Sequence, residues 1–114
     1  MIKLYGISNC DTVKKAVGWM KKNDIEFEFI DFRTHTIEPA RLARWLKQLG
    51  ASQLINKRSL TWRKLSEPEK KRLVSGNDID LLARHLTVIK RPVLETTSGC
   101  HVGFNANDYQ HWLD

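Results

Sequence analysis

The fold is indicated by residues 2–32, IKLYGISNCDTVKKAVGWMKKNDIEFEFIDF. A short apolar run ends at Gly6 and predicts a buried strand over residues 2–5. Apolar side chains then recur at positions 13, 16, 17 and 20, the spacing of one helical face, and Asn23 is expected to end that helix. Aromatic residues alternate with others over residues 27–32 and predict a second strand. Together these elements form a βαβ unit, whose two strands should be parallel.

The middle of the chain has helical patterns. Apolar residues at positions 42, 45, 46 and 49 share one helical face, which Gly50 is expected to end. Ser66 and Glu69 have the spacing of a capping box, which predicts a helix to about residue 74. Another short helix is predicted to begin at residues 77–80 and to carry leucines at positions 81, 82 and 86.

The last quarter of the chain returns to strands. Residues 93–96 and 100–104 are predicted strands joined by a turn at residues 97–99. Asn107 and Gln110 have capping-box spacing and predict a final helix with apolar positions 109, 112 and 113. The order β-α-β, helices, β-β-α predicts an α/β fold, with a mixed four-stranded sheet and helices packed on it.

Composition narrows the class of protein. The 114 residues are 41% apolar and 28% charged, which fits one soluble globular domain over residues 1–114. The chain has no run of about 18 apolar residues, so no membrane span is predicted. Gly6, Ser8 and Asn9 interrupt any apolar leader. Two cysteines are too few for a disulfide framework, so we expect a cytoplasmic protein with reduced thiols. We also expect a monomer. The four histidines lack metal-ligand spacing, and no metal is expected.

Net charge does not identify a partner. The chain carries 19 basic and 13 acidic residues, a formal charge of +6. Lysines and arginines are spread through the chain in groups of one to three rather than in one block. Nucleic acid is therefore not the favoured ligand, and a small anion is equally compatible with this charge.

Cys10 is the candidate nucleophile. It lies in the turn between the first strand and the first helix, where backbone N–H groups and the helix dipole stabilise a thiolate. Lys14 follows at i+4 and favours the same form, whereas the carboxylate of Asp11 opposes it. The alternative interpretation is a small buried side chain that fills space beside the strand.

The second position of a C-x-x-C motif is not a cysteine, because Val13 stands there. A thiol at Cys10 would then be resolved by an outside thiol or by a distant one such as Cys100. Cys100 falls in a predicted strand, and its favoured interpretation is an ordinary strand residue.

Three arginines are candidates for binding an anion. Arg91 stands directly before Pro92 and a predicted strand, although the residues alone favour an ordinary charged loop that enters a strand. Arg58 and Arg63 lie in the segment NKRSLTWRKL, residues 56–65. The planar guanidinium suits carboxylates and oxyanions, but sequence alone does not bring Arg58 near Cys10.

Three segments carry a resemblance to a known family: LYGISNCDTVKKA at residues 4–16, NKRSLTWRKL at residues 56–65, and IKRPVL at residues 89–94, followed by VGF at residues 102–104. In this order and spacing the chain resembles the arsenate reductase (ArsC)/Spx family, and within it the small YffB-like members. The resemblance covers nearly the whole chain.

The resemblance implies a thioredoxin-like (glutaredoxin-like) fold with a helical insertion at about residues 36–88. It implies that Pro92 is cis and that its loop faces the cysteine turn, which brings Arg91 towards Cys10. Arsenate reductases of the family use a cysteine nucleophile and three arginines, with glutathione and glutaredoxin resolving the adduct. By that pattern Cys10 is the nucleophile, Arg91 matches one arginine, and Arg58 or Arg63 matches another.

The chain departs from the family pattern in two places. The third arginine falls near residues 103–105, where this chain has none, so an oxyanion would lose a charge-assisted contact of about 1.5–3 kcal/mol. Val13 removes the C-x-x-C switch that Spx-type regulators commonly carry.

The interpretation that remains is a glutathione-dependent thiol/disulfide reductase with one nucleophilic cysteine. Glutathione is its co-substrate, glutaredoxin is a candidate partner, and no metal or prosthetic group is expected. The alternatives are arsenate reduction coupled to glutathione and glutaredoxin, or a non-enzymatic Spx-like regulator that binds RNA polymerase. The expected roles are Cys10 as nucleophile, Lys14 and Arg91 as thiolate-stabilising residues, and Asn9, Thr12, Arg58, Arg91 and Pro92 as substrate-binding residues.

Overall fold

The structure is a computed structural model that describes residues 1–113. It contains four strands: β1 (Ile2–Gly6), β2 (Phe27–Asp31), β3 (Val93–Thr96) and β4 (Gly99–Val102). Its α-helices are α1 (Asp11–Lys22), α2 (Pro39–Leu49), α3 (Ala51–Leu54), α4 (Leu60–Lys64), α5 (Glu67–Ser75), α6 (Ile79–Arg84) and α7 (Ala106–Trp112). A 3-10 turn over Leu86–Val88 follows α6.

The four strands form one mixed sheet in the order β2-β1-β3-β4. β1 and β2 are parallel with Gly6 opposite Asp31, and β3 is antiparallel to both β1 and β4, with Val93 opposite Tyr5. The ends of β1 and β2 and the beginning of β3 therefore meet at one end of the sheet. We call this the cysteine end, defined by residues 6–10, 31–33 and 91–92. The topology confirms the predicted βαβ and ββα halves and the thioredoxin-like arrangement.

The chain divides into two compact units, Met1–Thr34 with the segment from Arg91 onward, and His35–Lys90. The first contains the sheet, α1 and α7. Its core cluster is Leu4, Ala16, Met20, Leu94 and Tyr109, each fully buried. Helix α1 contributes the apolar face that the sequence predicts, and Asn23 caps its C-terminus as expected.

The second unit is helical, as its sequence pattern predicts. Helix α2 packs on α3 and α6, and α5 packs on α3 and α6. The side chains of Leu42, Trp45, Leu54 and Leu81 are buried to 1% exposure or less. The capping box at Ser66 and Glu69 is confirmed, with both reciprocal hydrogen bonds present. Helices α3 and α4 were not predicted because four or five residues are too few to display a helical period.

The final helix begins differently from the prediction. Asn105, not Asn107, is the N-cap, and its Oδ1 accepts a hydrogen bond from Asp108 N at 3.2 Å. Asn107 lies inside the first turn of α7. The helix starts earlier because β4 ends at Val102 and Gly103 turns the chain with a φ of 85°. Strand β4 also begins one residue earlier than predicted, since Gly99 pairs with Thr96.

Candidate active site

Cys10 is the N-cap of α1 and its side chain is half-buried. Its backbone is extended, with φ −90° and ψ 127°; its N–H donates to Ile7 O at 3.3 Å, and its carbonyl accepts from Lys14 N at 2.9 Å. The Cys10 side chain accepts no hydrogen bond from the first turn of the helix. The N–H groups of that turn and the positive end of the helix dipole are therefore available to a sulfur anion or to a bound anion.

Three predicted site residues surround Cys10 in the chain. Asn9 lies in the turn before it, Thr12 in the first turn of α1, and Lys14 one turn along the helix; all three are exposed. The fold thus groups these polar side chains at the beginning of α1. Their roles in binding and in thiolate stabilisation stay predictions.

The position after Cys10 that would hold a second thiol is part of the packing. Val13 is 1% exposed, and a Cβ placed on Gly6 would come within 2.7 Å of its Cγ2. The close approach of β1 to α1 therefore requires glycine at position 6. Val13 consequently serves to pack the helix on the strand, and Cys10 has no neighbouring thiol at this position.

Arg91 and Pro92 reach the same end of the sheet. They precede β3, whose first residue pairs with Tyr5 near the end of β1, and the Arg91–Pro92 bond is cis. Pro92 is buried, and its carbonyl accepts a hydrogen bond from Gly103 N at 2.9 Å. Arg91 is half-buried. The cis bond confirms what the resemblance implied, and the topology places this loop at the cysteine end.

A hydrogen-bonded group that the sequence analysis did not identify anchors the cysteine turn. Asp31, at the end of β2, accepts bonds from Ser8 N at 3.2 Å and from Arg33 N at 2.8 Å. The guanidinium of Arg33 also donates to Asp31 Oδ2 at 3.4 Å and to Ser8 Oγ at 2.9 Å. The available signal was the parallel pairing of β1 and β2, which puts the residues that follow both strands at one end of the sheet.

The charge of Asp31 is stabilised by this group. Partial desolvation alone would raise the pKa of Asp31, but the hydrogen bonds from the backbone and side chain of Arg33 and from Ser8 N–H outweigh it and lower the pKa. Asp31 is therefore an ionised acceptor that ties the Ser8 backbone to β2. This contact holds the segment that leads into Cys10.

Cys100 has the opposite surroundings. It is 6% exposed on β4, and burial together with the charge of Glu95 raises its pKa to about 11. Cys100 pairs with Glu95, and Glu95 pairs with Lys3 near the beginning of β1. Cys10 follows the end of β1. Lys3 and Gly6, the last residue of β1, are three residues apart, which is about 10 Å along the strand. A disulfide needs Cα atoms within about 7 Å, so Cys100 is not placed to resolve Cys10.

Comparison with known proteins identifies the family. The family model described as the ArsC family matches residues 5–112. The chain belongs to the ArsC family. An uncharacterized protein of Haemophilus influenzae is 41% identical over 110 residues, which cover 96% of each protein. The solved structure of a protein named YffB is 35% identical, covers 100% of both chains and has a TM-score of 0.91.

Two further relatives of this chain have names that indicate different functions. The solution structure of an arsenate reductase (ArsC) related protein from Brucella melitensis is 33% identical, with a TM-score of 0.73, and the match covers 99% of this chain and 94% of that one. The global transcriptional regulator Spx of Streptococcus pyogenes is 25% identical over 115 residues, covering 99% of this chain and 85% of the regulator. The chain is therefore similar to proteins with names of both kinds.

The remaining predicted anion ligands lie in the second unit. Arg58 is exposed, and its backbone N–H donates to Asn56 Oδ1 at 3.0 Å. Arg63 is exposed on α4, which begins at the N-cap Ser59. Both side chains are accessible to an anion within their own unit, so exposure does not separate them. The choice between them stays a prediction.

The position of the third family arginine has a structural role here. Asn105 caps α7, and the carbonyl of Gly103 accepts a hydrogen bond from Tyr109 Oη at 2.9 Å. Among residues 1–113, no cluster of three or more His, Cys, Asp and Glu side chains is arranged to hold a metal ion. Within the same residues, no helix is both long and apolar enough to span a bilayer.

Proposed function

We propose that this chain is a glutathione-dependent thiol/disulfide reductase in which Cys10 is the single nucleophile. The observation that carries the proposal is the contrast between the two thiols. Cys10 is half-buried at the N-terminus of a helix of 12 residues, and Cys100 is buried beside a carboxylate at the other end of the sheet. One accessible thiol at a helix N-terminus is suited to attack a disulfide and to be released by an external thiol.

The reaction has three exchange steps. The Cys10 thiolate attacks one sulfur of a disulfide R–S–S–R′, forming Cys10–S–S–R and expelling R′S⁻, which takes a proton from water. A glutathione thiolate attacks the Cys10 sulfur, expels RS⁻ and leaves a Cys10–glutathione disulfide. A second glutathione thiolate attacks the glutathionyl sulfur and restores the Cys10 thiolate. Two glutathiones are oxidised to one disulfide, and the substrate disulfide is reduced to two thiols.

The other predicted site residues have supporting roles in this proposal. Lys14 and Arg91 stabilise the Cys10 thiolate by their positive charge. Asn9, Thr12 and Pro92 bind the substrate beside the sulfur, and Arg58 pairs with a carboxylate of glutathione, for which a guanidinium is well suited. The reaction needs no metal or prosthetic group. Glutathione is abundant in reducing compartments, so we place the enzyme in the cytoplasm.

Arsenate reduction is the second candidate. The 33% identical relative from Brucella melitensis, which is named as related to arsenate reductase, favours it. The residues at positions 103–105 argue against it, since they lack an arginine and cap or support α7 instead. Arsenate-dependent NADPH consumption, coupled through glutathione and glutaredoxin and absent in Cys10→Ser, would establish this activity.

A regulator that binds RNA polymerase is the third candidate. The relation to Spx of Streptococcus pyogenes favours it. The buried Val13 opposes a C-x-x-C redox switch at Cys10, because position 13 is occupied by a packing side chain. Binding of the purified chain to purified RNA polymerase, measured at physiological salt, tests this alternative.

The decisive experiment is intact mass spectrometry after incubation with oxidised glutathione at pH 5–9. We expect one addition of about 305 Da on the wild type and on Cys100→Ser, and none on Cys10→Ser. The addition should already be rapid near pH 6. A wild type that is modified only above about pH 8, or a Cys10→Ser variant modified to full stoichiometry, would contradict the proposal.

A further inference from the structure

A groove runs along the first unit from the cysteine turn, between α1 and β2. Its volume is about 590 Å³. We call it the α1–β2 groove; it is lined by Ser8, Val13, Lys14, Val17, Gly18, Lys21, Phe27 and Phe29. Its lining includes Ser8 of the turn that leads into Cys10 and Val13 and Lys14 from the first turns of the helix that Cys10 caps.

Gly18 is unusual among the residues that line the groove. It lies in the interior of α1, where glycine weakens a helix relative to alanine. A Cβ placed on Gly18 would meet no atom within 4 Å, so packing inside the protein does not require glycine here. A side chain at this position would instead occupy the groove. The missing side chain therefore keeps space open for a ligand.

The charges and apolar surfaces of the groove define that ligand. Lys14 and Lys21 are exposed on one side of α1, seven residues apart, and neither forms an ion pair within residues 1–113. Phe27 and Phe29 are half-buried on β2, and Val17 on α1 is a third half-buried apolar residue of the lining. Two lysines next to an apolar surface complement a peptide that carries both carboxylates and apolar side chains.

The shape of the groove favours an extended peptide. β2 is the outer strand of the sheet, and in the described part of the chain its second edge has no partner strand. An extended segment can therefore lie along β2 with its backbone polar groups satisfied by the strand. Carboxylates then reach the lysines, and alternate side chains reach Phe27 and Phe29.

We propose that the α1–β2 groove binds an acidic, apolar peptide segment next to the disulfide of a protein substrate. This inference rests on the proposed function, because it names the substrate class that Cys10 attacks by the exchange already described. The substrate cysteine lies at Cys10, and the segment that flanks it lies in the groove. The preferred substrates are then protein disulfides with an acidic flank rather than small disulfides.

The helix sets the spacing of the acidic residues. Lys14 and Lys21 follow Cys10 by four and eleven residues, which is about 6 Å and about 16 Å along the helix axis. An extended peptide advances about 3.3 Å per residue. Because alternate side chains of an extended peptide share one face, carboxylates two and four residues from the substrate cysteine both face α1, each within about one residue's length of a lysine.

The probe is the peptide Ac-Cys-Leu-Glu-Leu-Glu-Leu-amide, with both glutamates on one face and the leucines on the other, together with the peptide of reversed order, because the groove does not fix the direction. The cysteine is capped as a methyl disulfide, which adds no anion of its own. The matched control replaces both glutamates by lysines. Binding is measured by amide chemical shifts on Cys10→Ser, which does not react, and reduction is measured on the wild type with glutathione.

We expect one or both glutamate peptides to shift amides of residues 14–21 and 27–29. The Kd should rise about tenfold for the lysine peptide and should rise with salt. In the Cys10→Ser background, Gly18→Leu should weaken binding at least tenfold and Lys21→Glu about fivefold. Lys22→Glu, an exposed charge outside the groove, is the control for Lys21→Glu. With Cys10 present, Gly18→Leu should lower the ratio of peptide to hydroxyethyl disulfide turnover about tenfold.

The two readouts separate the groove from the chemistry. Shifts absent from these residues, equal Kd values for the glutamate and lysine peptides, or unchanged binding in a folded Gly18→Leu variant would each overturn the groove proposal. If the wild type reduces no disulfide while the glutamate peptide still binds in the groove, the reductase proposal fails and the binding surface stands. If the wild type reduces both disulfides equally well and no peptide binds, the reductase stands and the groove fails.

Discussion

The two cysteines lie at opposite ends of one sheet, and they differ in burial and in their position on the secondary structure. Cys10 follows β1, begins α1 and is half-buried. Cys100 lies within β4, is 6% exposed and stands opposite Glu95. Burial and the nearby carboxylate raise the pKa of Cys100 to about 11. The same side chain is therefore a packing residue in one place and a candidate nucleophile in the other.

The difference follows from the direction of the strands. The parallel β1 and β2 both end at the cysteine end, so their loops collect there with the N-terminus of α1, whose first turn has N–H groups that the Cys10 side chain does not cap. At the other end the tight turn between β3 and β4 satisfies its own polar groups, with Thr96 Oγ1 accepting from Ser98 N at 3.2 Å. Chemistry is thus favoured where the strands leave polar groups open.

The largest expected effect is in alkylation. With a pKa of about 11, about one Cys100 thiol in 10,000 is ionised at pH 7, against about 3% for an ordinary thiol. Iodoacetamide at pH 7 should therefore modify Cys10 at least about 100-fold faster than Cys100, as measured by peptide mass spectrometry. Cys10→Ser and Cys100→Ser assign the two rates, and comparable rates in the native protein would remove the contrast between the two ends.

Gly6→Ala should have the next largest effect, because it breaks the packing that supports the cysteine turn. The new Cβ would lie 2.7 Å from Val13 Cγ2, and Val13 is buried and β-branched, so it cannot rotate away at low cost. We expect the free energy of unfolding to fall by about 1–3 kcal/mol in urea denaturation.

Gly18→Ala is the matched control for this prediction. The same change in α1 meets no atom within 4 Å and should raise the free energy of unfolding by about 0.5–1 kcal/mol. If Gly6→Ala and Gly18→Ala change the free energy of unfolding in the same direction, the close approach of Val13 is not what requires glycine at position 6.

Asp31→Asn tests the anchor of the cysteine turn. The substitution keeps the shape but removes the charge that accepts bonds from Ser8 and Arg33, so we expect a loss of about 1–2 kcal/mol at pH 7. Because the pKa of Asp31 is lowered on folding, its contribution is present above pH 3.8 and is lost as pH falls below that value.

The difference between wild type and Asp31→Asn should therefore shrink when urea denaturation is repeated near pH 3. Glu26→Gln removes an exposed carboxylate from the loop before β2 and serves as the control. A difference for Asp31→Asn that is as large at pH 3 as at pH 7 would show that shape rather than charge matters at this position.

Much of the cysteine end could be predicted from the sequence. The apolar spacing of residues 13–20 fixes α1, and the apolar run before Gly6 fixes β1, so the position of Cys10 between them follows from local patterns alone. The cis bond at Pro92 came from the resemblance. The start of α7 was predicted wrongly because two asparagines, Asn105 and Asn107, both have good capping chemistry, and the end of β4 decides between them.

The contacts between separate segments could not be predicted in the same way. Asp31 and Arg33 are 23 and 25 residues from Ser8 in sequence, and only the register of β1 and β2 brings them to it. The α1–β2 groove likewise combines a helix face with two aromatic residues of the neighbouring strand. Arg58 and Arg63 stay undecided because both are exposed within one short segment, and exposure does not rank them.

The smallest expected effect is a pH dependence on β4, next to Cys100. His101 stacks on Trp112 with ring centroids 3.8 Å apart; desolvation lowers its pKa, although Asp108 partly opposes the shift. The folded protein therefore binds this proton more weakly than the unfolded chain, and stability falls as pH drops below 6.5.

His101→Phe keeps a ring on Trp112 but cannot titrate, so its free energy of unfolding should fall less than that of the wild type between pH 7.5 and 5. His111→Gln, at an exposed position of α7, should keep the wild-type dependence. A wild-type slope in His101→Phe would assign the pH dependence of stability to another group.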